Sequence, residues 1–200
     1  MGPGLTTWDI GQWAFYNGYY AITPCGYTNE FGNFSGIKQI LIPQTQLDDS
    51  TAINEKTLYA NRWRGFENPF GDIWTNLEGI IIKINDDKTN SNVYTTTDVL
   101  KYGEDYSLFD IAGVEIDKNG WIGTFGLGSK AEIIPSSIAG SESTYKCDYH
   151  WCDPNYDVNR TLLVGGDGFT GGSAGLGAFN SFPSIDIADG GAGFRSLVRV

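Results

Sequence analysis

The feature that most constrains this chain is where its glycines fall. Ten of the 27 lie between Thr161 and Val200, at positions 165, 166, 168, 171, 172, 175, 177, 190, 191 and 193. The same segment carries only five charges, Asp167, Asp186, Asp189, Arg195 and Arg199. A run so rich in glycine loses too much backbone entropy to hold a regular helix. It reads instead as a frame that turns repeatedly. Between the turns stand single side chains of mixed character: Asp167, Phe169, Thr170, Ser173, Leu176, Asn180, Phe182, Ile185, Asp186, Ile187 and Asp189. Aromatic anchors and adaptable polar groups on a stiff scaffold are how binding surfaces are built. The plainer alternative is a glycine-rich loop with no ligand.

The rest of the chain is suited to packing. With 200 residues it is long enough to bury a core, and six Trp, eleven Tyr and eleven Phe supply the apolar surface. A net charge of -11 repels phosphate backbones and argues against nucleic acid. No stretch approaches the roughly 18 apolar residues of a membrane helix, so no membrane insertion is expected. Met1-Gly2-Pro3-Gly4-Leu5 has neither the basic nor the apolar region of a secretion signal. The reading is one soluble domain over residues 1–200.

Local patterns point to short elements. Thr6 can cap a helix, with Ile10, Trp13 and Ala14 following at helical spacing. Strands are expected at Ile37 to Thr45 and Leu77 to Ile84. Asn92 to Thr97 returns from the second across a turn at Asn85-Asp86-Asp87-Lys88. Further short strands are expected near Trp121 to Gly123, Ala131 to Ile134, Tyr145 to Cys152, Arg160 to Val164 and Phe194 to Val200. Asp48 to Lys56 reads as a loop. Arg62, Arg64, Glu67 and Asp72, set among Trp63, Phe66, Phe70 and Trp74, read as partly buried charges that partner one another. The fold class expected is α+β: irregular, loop-rich, with short strands and one or two short helices.

Catalytic chemistry is scarce. His150 is the only histidine, and an aromatic strand around it favours a structural role. A zinc reading of Cys147, His150 and Cys152 lacks the usual set of about four ligands. Cys25, Cys147 and Cys152 read as small buried hydrophobes. Acidic pairs such as Asp86-Asp87 and Glu104-Asp105 sit in polar turns, where solvation explains them. No metal, no cofactor and no enzymatic activity are expected.

The order of several motifs carries a resemblance. Arg160-Thr161-Leu162-Leu163-Val164-Gly165-Gly166, then Ala174-Gly175, Phe179 and Gly193-Phe194-Arg195, resembles the end of the formylglycine-generating, sulfatase-modifying enzymes. It also resembles the end of the variable proteins of diversity-generating retroelements, which share that C-type-lectin-like fold. Ile22 to Asn29, Arg64 to Trp74 and Tyr145 to Tyr149 look like segments of gut-phage members of the second group. The sulfatase-modifying chemistry needs a cysteine pair near the domain's end, and none follows Cys152.

What the second resemblance implies is a C-type-lectin-like receptor-binding domain on a phage tail or bacterial surface. Residues 161–200 would be its variable region. Asp167, Phe169, Thr170, Ser173, Asn180, Phe182, Ile185, Asp186, Ile187 and Asp189 would contact a host-cell surface protein or glycan. Gly165, Gly166, Gly175, Gly193 and Arg195 would form the frame. Analogy with tail fibres allows a homotrimer or attachment to a larger fibre. The competing expectations are a structural virion protein of the same fold and a degenerate sulfatase-modifying enzyme. This sequence departs from the gut-phage pattern at its end, Arg195-Ser196-Leu197-Val198-Arg199-Val200.

Overall fold

The computed structural model describes residues 26–43, 55–71, 73–86, 88–144, 148–153, 155–167, 170, 173–187 and 192–193. Twelve strands run through them: β1 (Gly36–Pro43), β2 (Glu55–Trp63), β3 (Phe66–Glu67), β4 (Trp74–Ile84), β5 (Asn90–Thr95), β6 (Asp110–Ile116), β7 (Gly120–Leu127), β8 (Ile133–Ile138), β9 (Tyr149–Trp151), β10 (Arg160–Gly165), β11 (Gly175–Asn180) and β12 (Ala192–Gly193). Among the described residues there is no α-helix, and single turns of 3-10 helix occur at Asn29–Phe31, Val99–Lys101 and Tyr106–Leu108. This corrects the α+β, C-type-lectin-like expectation. The protein is mostly β, and its larger sheet is nearly closed. The helix expected after Thr6 and the strand expected at Phe194 to Val200 lie outside the described residues.

The chain divides into two compact units: residues 1–73 with 167–171, and residues 74–166 with 172–200. In the first, β1 pairs antiparallel with β2, and β2 with β3. A two-residue turn joins β2 to β3, with Arg64 and Gly65 at φ of 48° and 88°. Positive φ at both central residues matches the twist of the flanking strands. The turn leaves Trp63 and Phe66 exposed, with the Arg64 guanidinium 4.8 Å over the Trp63 ring. Glu67 is held by its own hairpin's surroundings. Burial raises its pKa, but hydrogen bonds from the Gly26 and Thr28 amides and the Thr28 hydroxyl, with the Arg62 charge, bring the balance below the usual carboxylate value. Asp72 lies outside the described residues.

The second unit holds the nine-stranded sheet. Its path is β6-β5-β4-β10-β11-β9-β7-β8, with β12 pairing parallel to β4. The two ends of the path approach one another. The Ser129 amide, in the β7–β8 turn, donates to the Ala112 carbonyl of β6 at 2.7 Å. Inside lie Ile82, Val93, Ala112, Ile122, Ile134, Leu162 and Phe179. A second, smaller cluster of Trp74, Leu163 and Ala178 packs with Trp151, Ile187 and Ala192. Neighbours Leu162 and Leu163 on β10 serve different clusters, because successive strand residues point to opposite faces. That explains why β10 reads as a continuous apolar run.

The loop expected over Asp48 to Lys56 is corrected at its end, where β2 begins at Glu55, and β2, β3, β6, β11 and β12 all form where the sequence pattern predicts no strand. β6 and β11 run through Asp-Ile-Ala-Gly-Val-Glu-Ile and Gly-Leu-Gly-Ala-Phe-Asn, which carry glycines and polar residues where a strand is expected to carry apolar ones. Pairing with sequence-distant neighbours overrides that local signal. A Cβ on Gly175 would meet the Asp148 carboxylate, so the glycine lets that side chain lie close against β11.

Candidate functional site

The described surface has a cleft on the second unit, built at an irregularity in β4. Between Leu77 and Ile82 the pairing of β4 with β10 shifts register. Gly79 sits there at φ 76°, and its carbonyl accepts from the Thr96 amide at 2.9 Å. A Cβ on Gly79 would lie 2.5 Å from the Thr96 carbonyl oxygen and 2.9 Å from the Tyr102 ring. Glycine therefore lets Tyr102 lie down on β4 and wall the cleft. The space, about 230 Å³, is lined on its apolar side by Leu77, Ile80, Phe109 and Ile185, and on its polar side by Asn76, Glu78, Glu104 and Thr161. The Thr161 hydroxyl is hydrogen-bonded to Asn76 Oδ1 at 2.6 Å.

An adjoining hollow of about 220 Å³ shares Glu104 and Ile185 with the first and adds Val158, Asn159, Ser184 and Asp186. The segment around Ser184 is tied to the end of the loop before β10. The Ile185 amide donates to the Asn159 carbonyl at 2.9 Å, and the Thr161 amide to the Pro183 carbonyl at 3.0 Å. Asn159 Nδ2 donates to the Glu104 carbonyl at 2.7 Å, joining the third wall. The Ser184 hydroxyl donates to Asp186 Oδ1, which fixes that turn. The lining carries three carboxylates, Glu78, Glu104 and Asp186, and no Lys or Arg.

The residues singled out from the sequence are dispersed. Ile185 and Asp186 meet at the cleft. Phe182 is 51% exposed and stacks on Tyr156, ring centroids 6.5 Å apart. Asn180 turns its side-chain carbonyl to the Phe182 amide. Ile187 packs with the Trp74, Leu163 and Ala178 cluster. Asp167 belongs to the other unit and is only 7% exposed; its Oδ1 accepts from the Thr170 amide and hydroxyl at 2.9 and 2.7 Å. Thr170 and Ser173 are half-buried, and Phe169 and Asp189 lie outside the described residues. Of the frame, Gly165 and Gly166 adopt φ of 95° and 79°, Gly193 pairs with Thr75, and Arg195 is outside the described residues. Tyr102, Asn159 and Ser184 carry no signal in the sequence, and Glu104, read there as a solvated turn carboxylate, lines the cleft. Each is an ordinary loop or turn residue in sequence, and only tertiary pairing assembles them.

A second group of ionisable side chains lies away from the cleft and is buried. Glu115, His150 and Arg160 are 0% exposed, with Asp117 beside them. Cys152 is buried, and burial together with Glu115 and Asp117 pushes its thiol up to about 12. Asp117 is raised above its ordinary value, first by burial and then by Glu115, against the pull of Ser91 and Arg160. Among the described residues no group of three or more His, Cys, Asp or Glu side chains is placed to hold a metal ion. No helix among them is long and apolar enough to cross a membrane.

The fold and site so described define a mostly β protein with a nearly closed sheet and a lateral acidic cleft. Comparison with protein families, with curated proteins and with solved structures found no match.

Proposed function

We propose that this chain is a non-catalytic binding domain, displayed on a phage or bacterial surface, that recognises a host-cell protein or glycan through the Ile185–Asp186 cleft. The observation that carries the reading is the convergence of two hollows on Glu104 and Ile185. An apolar floor with a few converging polar groups is the usual make-up of a binding cleft. The carboxylate rim suits an epitope of mixed apolar and basic character. The burial of His150 and Cys152 also supports binding over catalysis, since neither side chain is presented to a substrate. Presentation in several copies would let a weak single site suffice.

The test is a glycan and protein array probed with the full chain and with Ile185→Arg, a substitution that fills the cleft from a half-buried turn position. The expected result is a defined set of ligands for the native chain, lost by at least about tenfold in the variant, with an unchanged thermal midpoint. Ligands retained in full by the variant would place recognition on another surface.

A further inference from the structure

Two exposed features of this chain are chemically complementary. The first is the tip of the β2–β3 hairpin. Register places Ile37, Asn61 and Trp63 on one face of the three-stranded sheet, with Phe66 opposite Trp63. Ile37, Trp63 and Phe66 are all exposed on that face. The neighbouring Arg62 is committed to its own sheet: it lies opposite Glu67, and its Nε donates to the Gly32 carbonyl at 2.6 Å. Arg64 is not committed. Its guanidinium lies over the Trp63 ring, and among the described residues no carboxylate pairs with it. The backbone beneath it is fixed, because the Arg64 amide donates to the Ser35 hydroxyl at 3.1 Å and the turn has two residues. A tip held in shape before it docks loses little entropy on docking. Trp, Phe and Arg are also the residue types enriched in the cores of interfaces.

The second feature is the cleft. Its rim carries Glu78, Glu104 and Asp186, all exposed, and its lining contains no Lys or Arg. Its wall includes Tyr102, a partly exposed ring against which a guanidinium can stack. Such a cleft takes a cation carried on an apolar or aromatic support, and the hairpin tip is that combination. The chain has 13 Lys and Arg against 24 Asp and Glu, so its surface as a whole repels a second copy. Repulsion of that kind is overcome where a positive patch meets a negative one, and the tip and the cleft supply one of each.

We infer that copies of this chain associate head to tail, with the Trp63–Phe66 tip of one copy seated in the Ile185–Asp186 cleft of the next. Tip and cleft are different surfaces, so the interface is heterologous. It closes a ring where the rotation between copies permits, and otherwise extends as an open row. In an open row the last cleft stays free for a host ligand. The inference therefore goes beyond host recognition and does not depend on it. A contact this small, with charge on both sides, is weak and sensitive to salt.

The test is sedimentation velocity of the full chain from about 10 μM to about 1 mM, the range in which weak interfaces form. The mean mass is expected to rise with concentration. The association constant is expected to fall by at least about fivefold when sodium chloride is raised from about 0.05 M to about 0.5 M. A chain that stays monomeric throughout, or that associates more tightly in salt, overturns the inference. Two variants test the direction of the contact: Arg64→Glu removes the tip's cation, and Ile185→Arg blocks the cleft. Each alone is expected to be monomeric. Mixed in equal amounts they should form dimers and nothing larger, because one native tip then meets one native cleft. Association of either variant alone at native strength, or a mixture that stays monomeric, overturns the inference. The salt response of the native chain decides if a variant fails to fold. An array without ligands would count against host recognition alone.

Discussion

Cys152 shows how one residue's chemistry is set by its surroundings. It is 2% exposed, its amide is held by Asn119 Oδ1 at 2.7 Å, and burial with two nearby carboxylates raises its thiol to about 12. The thiolate is the reactive form, so this cysteine should be inert in the folded chain. Peptide mapping after iodoacetamide at pH 8 should find Cys152 unmodified until denaturant is added; native-state alkylation at the rate of a free thiol would contradict the burial. Glu115 makes the complementary point. On β6 the apolar Ile111 and Val114 face outward while Glu115 faces in. Alternation on that strand runs against the usual rule because Ser181, Arg160 and His150 wait inside to meet a carboxylate. His150, read from sequence as structural, is buried in this cluster, but nothing within its own strand indicates which partners it has.

At the scale of the strand, legibility followed burial on two faces. Leu77 to Ile84, its returning partner and Arg160 to Val164 all appear as strands, because their apolar runs or turn residues are local signals. The Asn85 carboxamide accepting from the Thr89 and Asn90 amides accounts for the turn between β4 and β5. β6 and β11 were hidden because glycine and glutamate mark loops unless a distant strand supplies the pairing. Stability should be uneven in the same way. β10 is paired on both edges and covered on both faces, whereas β6 and β8 meet through Ser129 without a ladder among the described residues. Native-state hydrogen exchange should find the Leu162 and Leu163 amides opening only with global unfolding. The Ser129 amide should exchange at least about tenfold faster through local opening. Uniform protection across the seam would mean the sheet is fully closed.

For the whole molecule, topology sets the folding rate. Thr75 pairs with Val164, Trp74 with Ala192, and β9 lies parallel to β11, so the sheet is dominated by contacts between residues far apart in sequence. Loop closure must precede such contacts, which places refolding in the millisecond-to-second range. Stopped-flow fluorescence of the tryptophans checks this, and a sub-millisecond main phase would not fit the strand order. The candidate site is non-local in the same sense. Ile185 and Asp186 were legible as part of a glycine-framed, chemically mixed segment, while Tyr102, Glu104 and Asn159 join them only through the β4 irregularity and the pairing of Asn159 with Ile185.

By itself the amino-acid order determined the apolar runs and the tight turns, since each depends on a few neighbouring residues. Tertiary structure alone decided that β2, β6 and β11 are strands, that Asp167 is buried, and that Glu115, Asp117, His150 and Arg160 share one enclosed site. The physical reason is range. Propensity and turn chemistry act within a few residues, whereas strand pairing and the need of a buried charge for a partner are satisfied by groups that the chain brings together from 35 to 69 positions away, as between Glu115 and His150 or Ser91 and Arg160.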